Sequence, residues 1–284
     1  MNRTKWQAIA GFMFIGALLA PVAAQAERLT VRQAIQRLDW QYGPSVAKIG
    51  DRASIKLGSE YAFLSSNETT RFLTLTGNLP SPNHYAVAPR NLSWFVVFSF
   101  DETGYIKDDE KIDTDDVLNK LRAGTARNNE ERKRRGIRPI YLDGWAVKPH
   151  YDEQTKRLEW GTRLTADNTD EVSVNYSIRI LGRMGVMHAI LVTDPNALTA
   201  DVREFKTVLG GYNFDSGQRY SEFRKGDKIA AYGLTGLILG GGVAVAAKTG
   251  LLKYMGKFIV YIFGGLIALV GGLIKSLFGR RAAA

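Results

Sequence analysis

"EVSVNYSIRILGRMGVMHAILVT", residues 171–193, is the stretch whose reading decides the fold. Two apolar, β-branched runs, 171–182 and 185–193, flank "GRMG", where Gly182 and Gly185 supply a tight turn, so the stretch predicts a β-hairpin. Two further strand candidates, 139–148 and 157–165, lie just upstream and are joined by "DEQTK". Four consecutive strands with short turns form an antiparallel meander.

Working outward, "WFVVFSFD", residues 94–101, is an apolar, aromatic strand expected near the centre of the sheet. "SVAKIG" and "RASIKLG" read as short strands, the second alternating Ala53, Ile55 and Leu57 with polar neighbours. Residues 67–78 predict a short helix with Ser66 as cap and Gly77 near its end, and "LPSPNHYAVAP" after it reads as a Pro-rich loop. A longer helix starts at Asp113 or Thr114 and runs to about Arg135, with acids in its first turn and "ERKRRG" at its end, as the helix dipole favours. The last helix of this region, 196–212, has Asp194 or Asn196 near its start and Gly210 and Gly211 after it. Helices flanking an antiparallel sheet make an α+β layered domain.

The ends of the chain differ in character from this middle. Arg3 and Lys5 precede an apolar run from Ala8 to about Leu19, then Pro21 and small residues at Ala24 and Ala26, the order of a secretory signal cut after Ala26 (residues 1–26). Residues 27–228 would then be an exported domain. Residues 229–247 are 19 residues without a charge, long enough at about 1.5 Å per residue to cross a hydrocarbon core of about 30 Å. A basic loop, 248–257, a second uncharged run, 258–274, and a basic tail, 275–284, complete a two-helix transmembrane hairpin.

Gly236, Gly240 and Ala244 recur every four residues in the first segment, and Gly264, Ala268 and Gly272 in the second. Four-residue spacing puts small residues on one helix face, where backbones approach closely; this implies helix packing and a homo-oligomer. No charge lies within either segment, which argues against an ion or proton pathway.

The formal net charge of +10 does not indicate nucleic acid. Every acidic residue lies between 27 and 228, where thirty Lys and Arg face 28 Asp and Glu. The excess sits beside the apolar segments, at Lys248, Lys253, Lys257, Arg280 and Arg281 among others, and suits lipid headgroups. With no cysteine, disulfides, thiolate metal sites and a cysteine nucleophile are excluded. The acidic run "DETGYIKDDEKIDTDD" lacks the glycine and closing Glu of a calcium loop, and its acids are read as helix-capping. The three histidines, His84, His150 and His188, show no metal-ligand spacing, and no nucleophile elbow, phosphate loop or dinucleotide fingerprint occurs; neither a metal nor a cofactor is expected. The best acid–base candidate is His150 in "KPHYDE", with Tyr151, Asp152 and Glu153 beside it; the same residues also read as a polar hairpin turn.

Longer phrases carry a family resemblance. "SWFVVFSFDETGYIKDDEKID", "NNEERKRRGIRPIYLDGWAVKPHYDEQTKRLEWGTRL", "VNYSIRILGRMGV", "FDSGQRYSEF" and "DKIAAYGLTGLILGGGVA" resemble, in order, bacterial membrane-anchored proteins of the domain of unknown function family 2167. The resemblance runs from about Tyr42 through the first apolar segment. Gly161 after Trp160, where an alanine is usual, and the apolar details of "RMGVMHAIL" depart from it. It implies an exported domain on a membrane-anchored C-terminus, at the bacterial inner membrane with the main domain periplasmic, and it implies no reaction. "ASIKLGSEYAFLS" and the final helix before "GYNF" are similar, in fold only, to the PsbP and Mog1 type of sandwich. Three functional classes stay open: a non-catalytic, self-associating envelope component that presents its domain to a protein partner; a membrane-tethered hydrolase using His150 and Asp152; and a small-ligand or lipid binder using aromatics such as Trp94, Trp145, Trp160 and Tyr151.

Overall fold

A computed structural model describes residues 30–240 apart from positions 77, 79, 135, 137, 170 and 171. The signal read at 1–26, the later part of the 229–247 segment with Ala244, the 258–274 segment with Gly264, Ala268 and Gly272, and the basic residues Lys248, Lys253, Lys257, Arg280 and Arg281 lie outside the described residues, as does Gly77. Among the described residues, no helix is long and apolar enough to cross a membrane.

In chain order the elements are α1 (Val31–Gln36), β1 (Gln41–Tyr42), β2 (Ser45–Ile49), β3 (Ala53–Leu57), β4 (Tyr61–Leu64), α2 (Ser66–Leu75), β5 (His84–Pro89), β6 (Phe95–Asp101), α3 (Thr114–Arg134), β7 (Ile140–Asp152), β8 (Arg157–Ala166), β9 (Val172–Leu181), β10 (Val186–Thr193), α4 (Leu198–Leu209), β11 (Tyr212–Phe214), a 3-10 turn (Tyr220–Glu222) and α5 (Leu234–Ile238). An eight-stranded antiparallel sheet has the order β1-β4-β5-β6-β10-β9-β8-β7, and a smaller one the order β11-β3-β2. The meander occupies half of the large sheet, and β6 sits in its middle because its alternating sides are both buried, Val96 and Phe98 on one and Phe95 and Val97 on the other.

One face of the large sheet packs on the small sheet and α4. Trp94, Phe98, Tyr176, Ile178 and Leu191 meet Ile49, Ile55 and Leu57 and the α4 residues Phe205, Val208 and Leu209. The α4 positions follow the spacing of an amphipathic helix, and each such side chain contributes about 1.5–3 kcal/mol by leaving water. On the opposite face α1 and α2 cover Val97, Ile190 and Val192, while Leu158, Trp160, Leu181 and Val186 pack with Val117 of α3 and Leu234, Leu237 and Ile238 of α5.

Several sequence expectations need correction. His84–Pro89, expected within a Pro-rich loop, is strand β5: Pro80 and Pro82 precede it and Pro89 is its last residue, opposite Tyr61, and Ala86, Val87 and Ala88 are buried between β4 and β6. The N-cap position of α2 is Ser65, whose side chain makes no capping hydrogen bond, and Ser66 is the first helical residue, its hydroxyl accepting at 2.9 Å from the Asn83 N–H. Helix α1, unforeseen, is closed by a capping box in which the Thr30 hydroxyl accepts from Gln33 N–H and the Gln33 side chain accepts from Thr30 N–H. Asp113 starts α3 as expected, accepting from the N–H groups of Asp115 and Asp116 at 3.1 and 3.0 Å.

Candidate functional site

The His150 cluster expected from sequence does not assemble. His150, Tyr151 and Asp152 belong to strand β7, which runs on to Asp152, so the polar hairpin turn is confined to the residues after it. Neighbouring strand residues project to opposite faces. Tyr151 therefore crosses to the α3 face, where its hydroxyl donates to Asp108 at 2.7 Å beside Lys156 Nζ at 2.8 Å. Burial would raise the Asp108 carboxyl, but hydrogen bonds from Lys156, Tyr151 and Tyr220 outweigh it and hold it low; burial and Asp108 push the Tyr151 hydroxyl far up. Asp152 closes the hairpin, accepting from the N–H groups of Gln154 and Thr155 at 2.8 and 3.2 Å, and hydrogen bonds from Thr155 and Gln154 lower its pKa.

His150 instead faces its cross-strand partner Glu159, with Nε2 3.6 Å from Oε2. Glu159 is buried, and the same oxygen accepts from the Tyr176 hydroxyl and from Lys206 Nζ at 2.7 Å. Burial first, and then this carboxylate, push the Tyr176 hydroxyl far up. Lys206 comes from α4, as does Glu204, which accepts from Tyr61 and Trp94 at 3.2 and 3.1 Å. Both carboxylates bind α4 to the sheet, and the His150 environment is explained by that packing.

The more informative feature lies on the other face. The two apolar clusters there are separated by a polar strip that follows the strand register: His84 of β5 opposite Ser99 of β6, Ser99 opposite His188 of β10, His188 opposite Arg179 of β9. Ser177 and Asn175 continue it along β9. Arg179, Ser177 and Asn175 are 5%, 4% and 0% exposed, and on a sheet face between two apolar clusters that is costly.

Arg179 lies with its guanidinium carbon 4.7 Å over the Trp160 ring. Among the described residues its Nε and the Nε2 of His188 are buried without a hydrogen-bond partner, and the bond from its Nη1 to the Ile178 carbonyl is long at 3.4 Å. Burial pulls the guanidinium down to about 9, and burial and then Arg179 hold His188 neutral, well below its ordinary range. Asp101, on the same side of β6 as Ser99, is within electrostatic reach of Arg179, but burial raises its own carboxyl. Among the described residues, no group of three or more His, Asp or Glu is placed to hold a metal ion.

The strip borders the segment 227–238, which docks on the domain. Ile229 pairs in parallel with Tyr105; Tyr105 N–H donates to Lys228 and Ala230 N–H to Tyr105, at 2.8 and 2.9 Å. Arg183 clamps Asp227 through two bonds of 2.7 and 2.8 Å, and Glu110 accepts from Thr235 N–H at 3.1 Å, at the start of α5. Tyr232 then reaches Arg179 and Asp101 electrostatically.

This arrangement corrects the first glycine ladder. Helix α5 ends at Ile238, and Gly240 has φ +89°, the left-handed conformation that terminates helices, so Gly236 and Gly240 do not share one helix face. Gly236 is required locally: a Cβ there would lie 2.6 Å from Tyr232 Cβ. Sequence reasoning places His188 in a strand without choosing its side and passes over Arg179. The alternation of Ser173, Asn175, Ser177 and Arg179 with apolar residues is visible in the chain, but it is also the pattern of a solvated sheet face.

Comparison with known proteins gives one family. The model described as "Protein of unknown function (DUF2167)" matches residues 41–271. No curated protein matches the chain. Among solved structures, the solution structure of cyanobacterial PsbP (CyanoP) from Synechocystis sp. PCC 6803 is similar at 11% identity, covering 60% of this chain and 90% of that one, with a TM-score of 0.35.

Proposed function

Because the chain belongs to the DUF2167 family, which is described without a reaction, we propose a role from its architecture: a non-catalytic envelope protein, anchored in the bacterial inner membrane by its second C-terminal apolar segment, 258–274, that presents its α+β domain to a partner. The observation that carries this reading is the junction. Arg183–Asp227, Tyr105–Ile229 and Glu110–Thr235 lock 227–238 onto the domain, with Leu234, Leu237 and Ile238 in its core, so the first half of the 229–247 run belongs to the domain and a membrane crossing falls to the 258–274 segment. A loosely tethered enzyme needs no such lock. Self-association is assigned to the second segment, through Gly264, Ala268 and Gly272.

A second reading, a small-ligand binding module, is favoured by the buried strip at Arg179 and His188. The hydrolase reading loses its support, since His150 and Asp152 serve separate structural roles.

The chain has no cysteine, so single-cysteine labelling is free of background. Glu153→Cys in the hairpin turn should react with a membrane-impermeant maleimide in spheroplasts, while Ser276→Cys, beyond the 258–274 segment, should react only after permeabilisation. Equal labelling of both without permeabilisation overturns the topology. For assembly, light scattering of the detergent-extracted chain should show an oligomer that Gly264→Leu/Gly272→Leu reduces; an unchanged mass removes the glycine contact.

A further inference from the structure

We propose that Arg179 and His188 form a receptor for one oxyanion group, a phosphate or a carboxylate, reached from the side that Tyr232 covers. The inference rests on the binding-module reading and names its ligand chemistry.

The strip supplies donors in excess of acceptors. Arg179 and His188 are direct cross-strand partners, so their side chains stand side by side at about 5 Å on the same sheet face. Each presents a buried nitrogen with no partner among the described residues: Arg179 Nε is a donor, and His188 Nε2 donates in the tautomer that carries its proton there; a buried polar group left unmatched is expensive enough that nearly all such groups in folded proteins are paired. Ser99 and Ser177 flank the pair with hydroxyls that can turn to donate. The guanidinium forms no ion pair within 4 Å among the described residues; the Trp160 ring lies 4.7 Å from it without neutralising it. A planar, buried, unpaired guanidinium next to further donors is the arrangement that recognises a two-oxygen acceptor.

Asp101 does not fill this role. It is two strands from Arg179 in the sheet order, and its carboxyl is pushed toward the neutral form. Anions of phosphate or carboxylate type therefore fit where cations and neutral sugars do not. A free anion and a lipid headgroup offer the same chemistry, and the neighbourhood of Tyr232, on the segment leading to the apolar C-terminus, admits either source.

The experiment is thermal unfolding of the full-length protein in non-ionic detergent, titrated with inorganic phosphate, acetate or dihexanoyl phosphatidylglycerol, against chloride at matched ionic strength. At least one of the three should raise the midpoint saturably where chloride does not. Saturation by phosphate or acetate identifies a free anion, and saturation by the phospholipid alone identifies a headgroup. Arg179→Lys keeps the charge but loses Nε and the fork, and should bind at least tenfold more weakly; His188→Leu should weaken binding while leaving the fold intact by circular dichroism. Arg179→Met should abolish the shift and, by removing an unpaired buried charge, raise the ligand-free midpoint. The proposal is overturned if no anion gives a saturable shift or if Arg179→Lys binds as tightly as wild type. Its failure leaves the cysteine-labelling pattern unaffected, and a failed topology leaves the anion titration unaffected.

Discussion

Gly236→Ala separates two physical descriptions of the same residue. In an uninterrupted helix packed in lipid, replacing glycine by alanine gains about 1 kcal/mol of helix propensity. In the structure, the added methyl would lie 2.6 Å from Tyr232 Cβ and 2.7 and 2.8 Å from ring carbons of the same side chain. Tyr232 cannot move freely, because Tyr105 pairs with Ile229 just before it and Leu234 and Leu237 anchor the turn after it in the core. Overpacking of this kind costs about 1–3 kcal/mol, so the propensity gain is offset and a net loss of up to about 2 kcal/mol is expected. Urea unfolding of the full-length protein in detergent, followed by the fluorescence of buried Trp94 and Trp160, reads it directly. A second arm localises the cause: in a Tyr232→Gly background, which removes both Cβ and ring, the cost of Gly236→Ala should vanish, a coupling visible as a double-mutant cycle. If Gly236→Ala gains the full propensity term of about 1 kcal/mol, with the same gain in the Tyr232→Gly background, the docking of 229–238 on the domain is wrong.

Tyr176→Phe removes a buried hydrogen bond to the Glu159 carboxylate and should cost about 1.5–3 kcal/mol in the same urea assay; a change within about 0.5 kcal/mol would show that Lys206 alone satisfies that carboxylate. Asp227 is lowered from 3.8 to about 2, first by the Arg183 hydrogen bonds, so its stabilising contribution is complete above about pH 4 and is lost as the pH falls toward 2. Amide exchange at Ala230, whose N–H is held by Tyr105, should accelerate over that window beyond the intrinsic rate, and Arg183→Gln should flatten the dependence; a flat wild-type profile would remove the clamp from the junction.

The sequence by itself determined the meander, the central place of β6, and the extents of α3 and α4 to within a few residues, because each is a long segment with one period and clear turn or cap residues at its ends. Short elements escaped it: β1, β4 and β11 are strands of two to four residues whose existence depends on partners far along the chain. The composition also located the apolar C-terminal segments and the basic residues beside them. Tertiary structure alone decided which residues meet. Strand alternation sent His150 and Tyr151 to opposite faces, and register placed Glu159 rather than Asp152 before His150. The same pattern of Ser, Asn, Ser and Arg along β9 describes a wet face or a buried strip; only the covering of that face by α2, α3 and α5 fixes which. Period is a local property of the chain, whereas burial depends on what distant segments lay over it, and so Arg179 became a candidate only once the layers were in place.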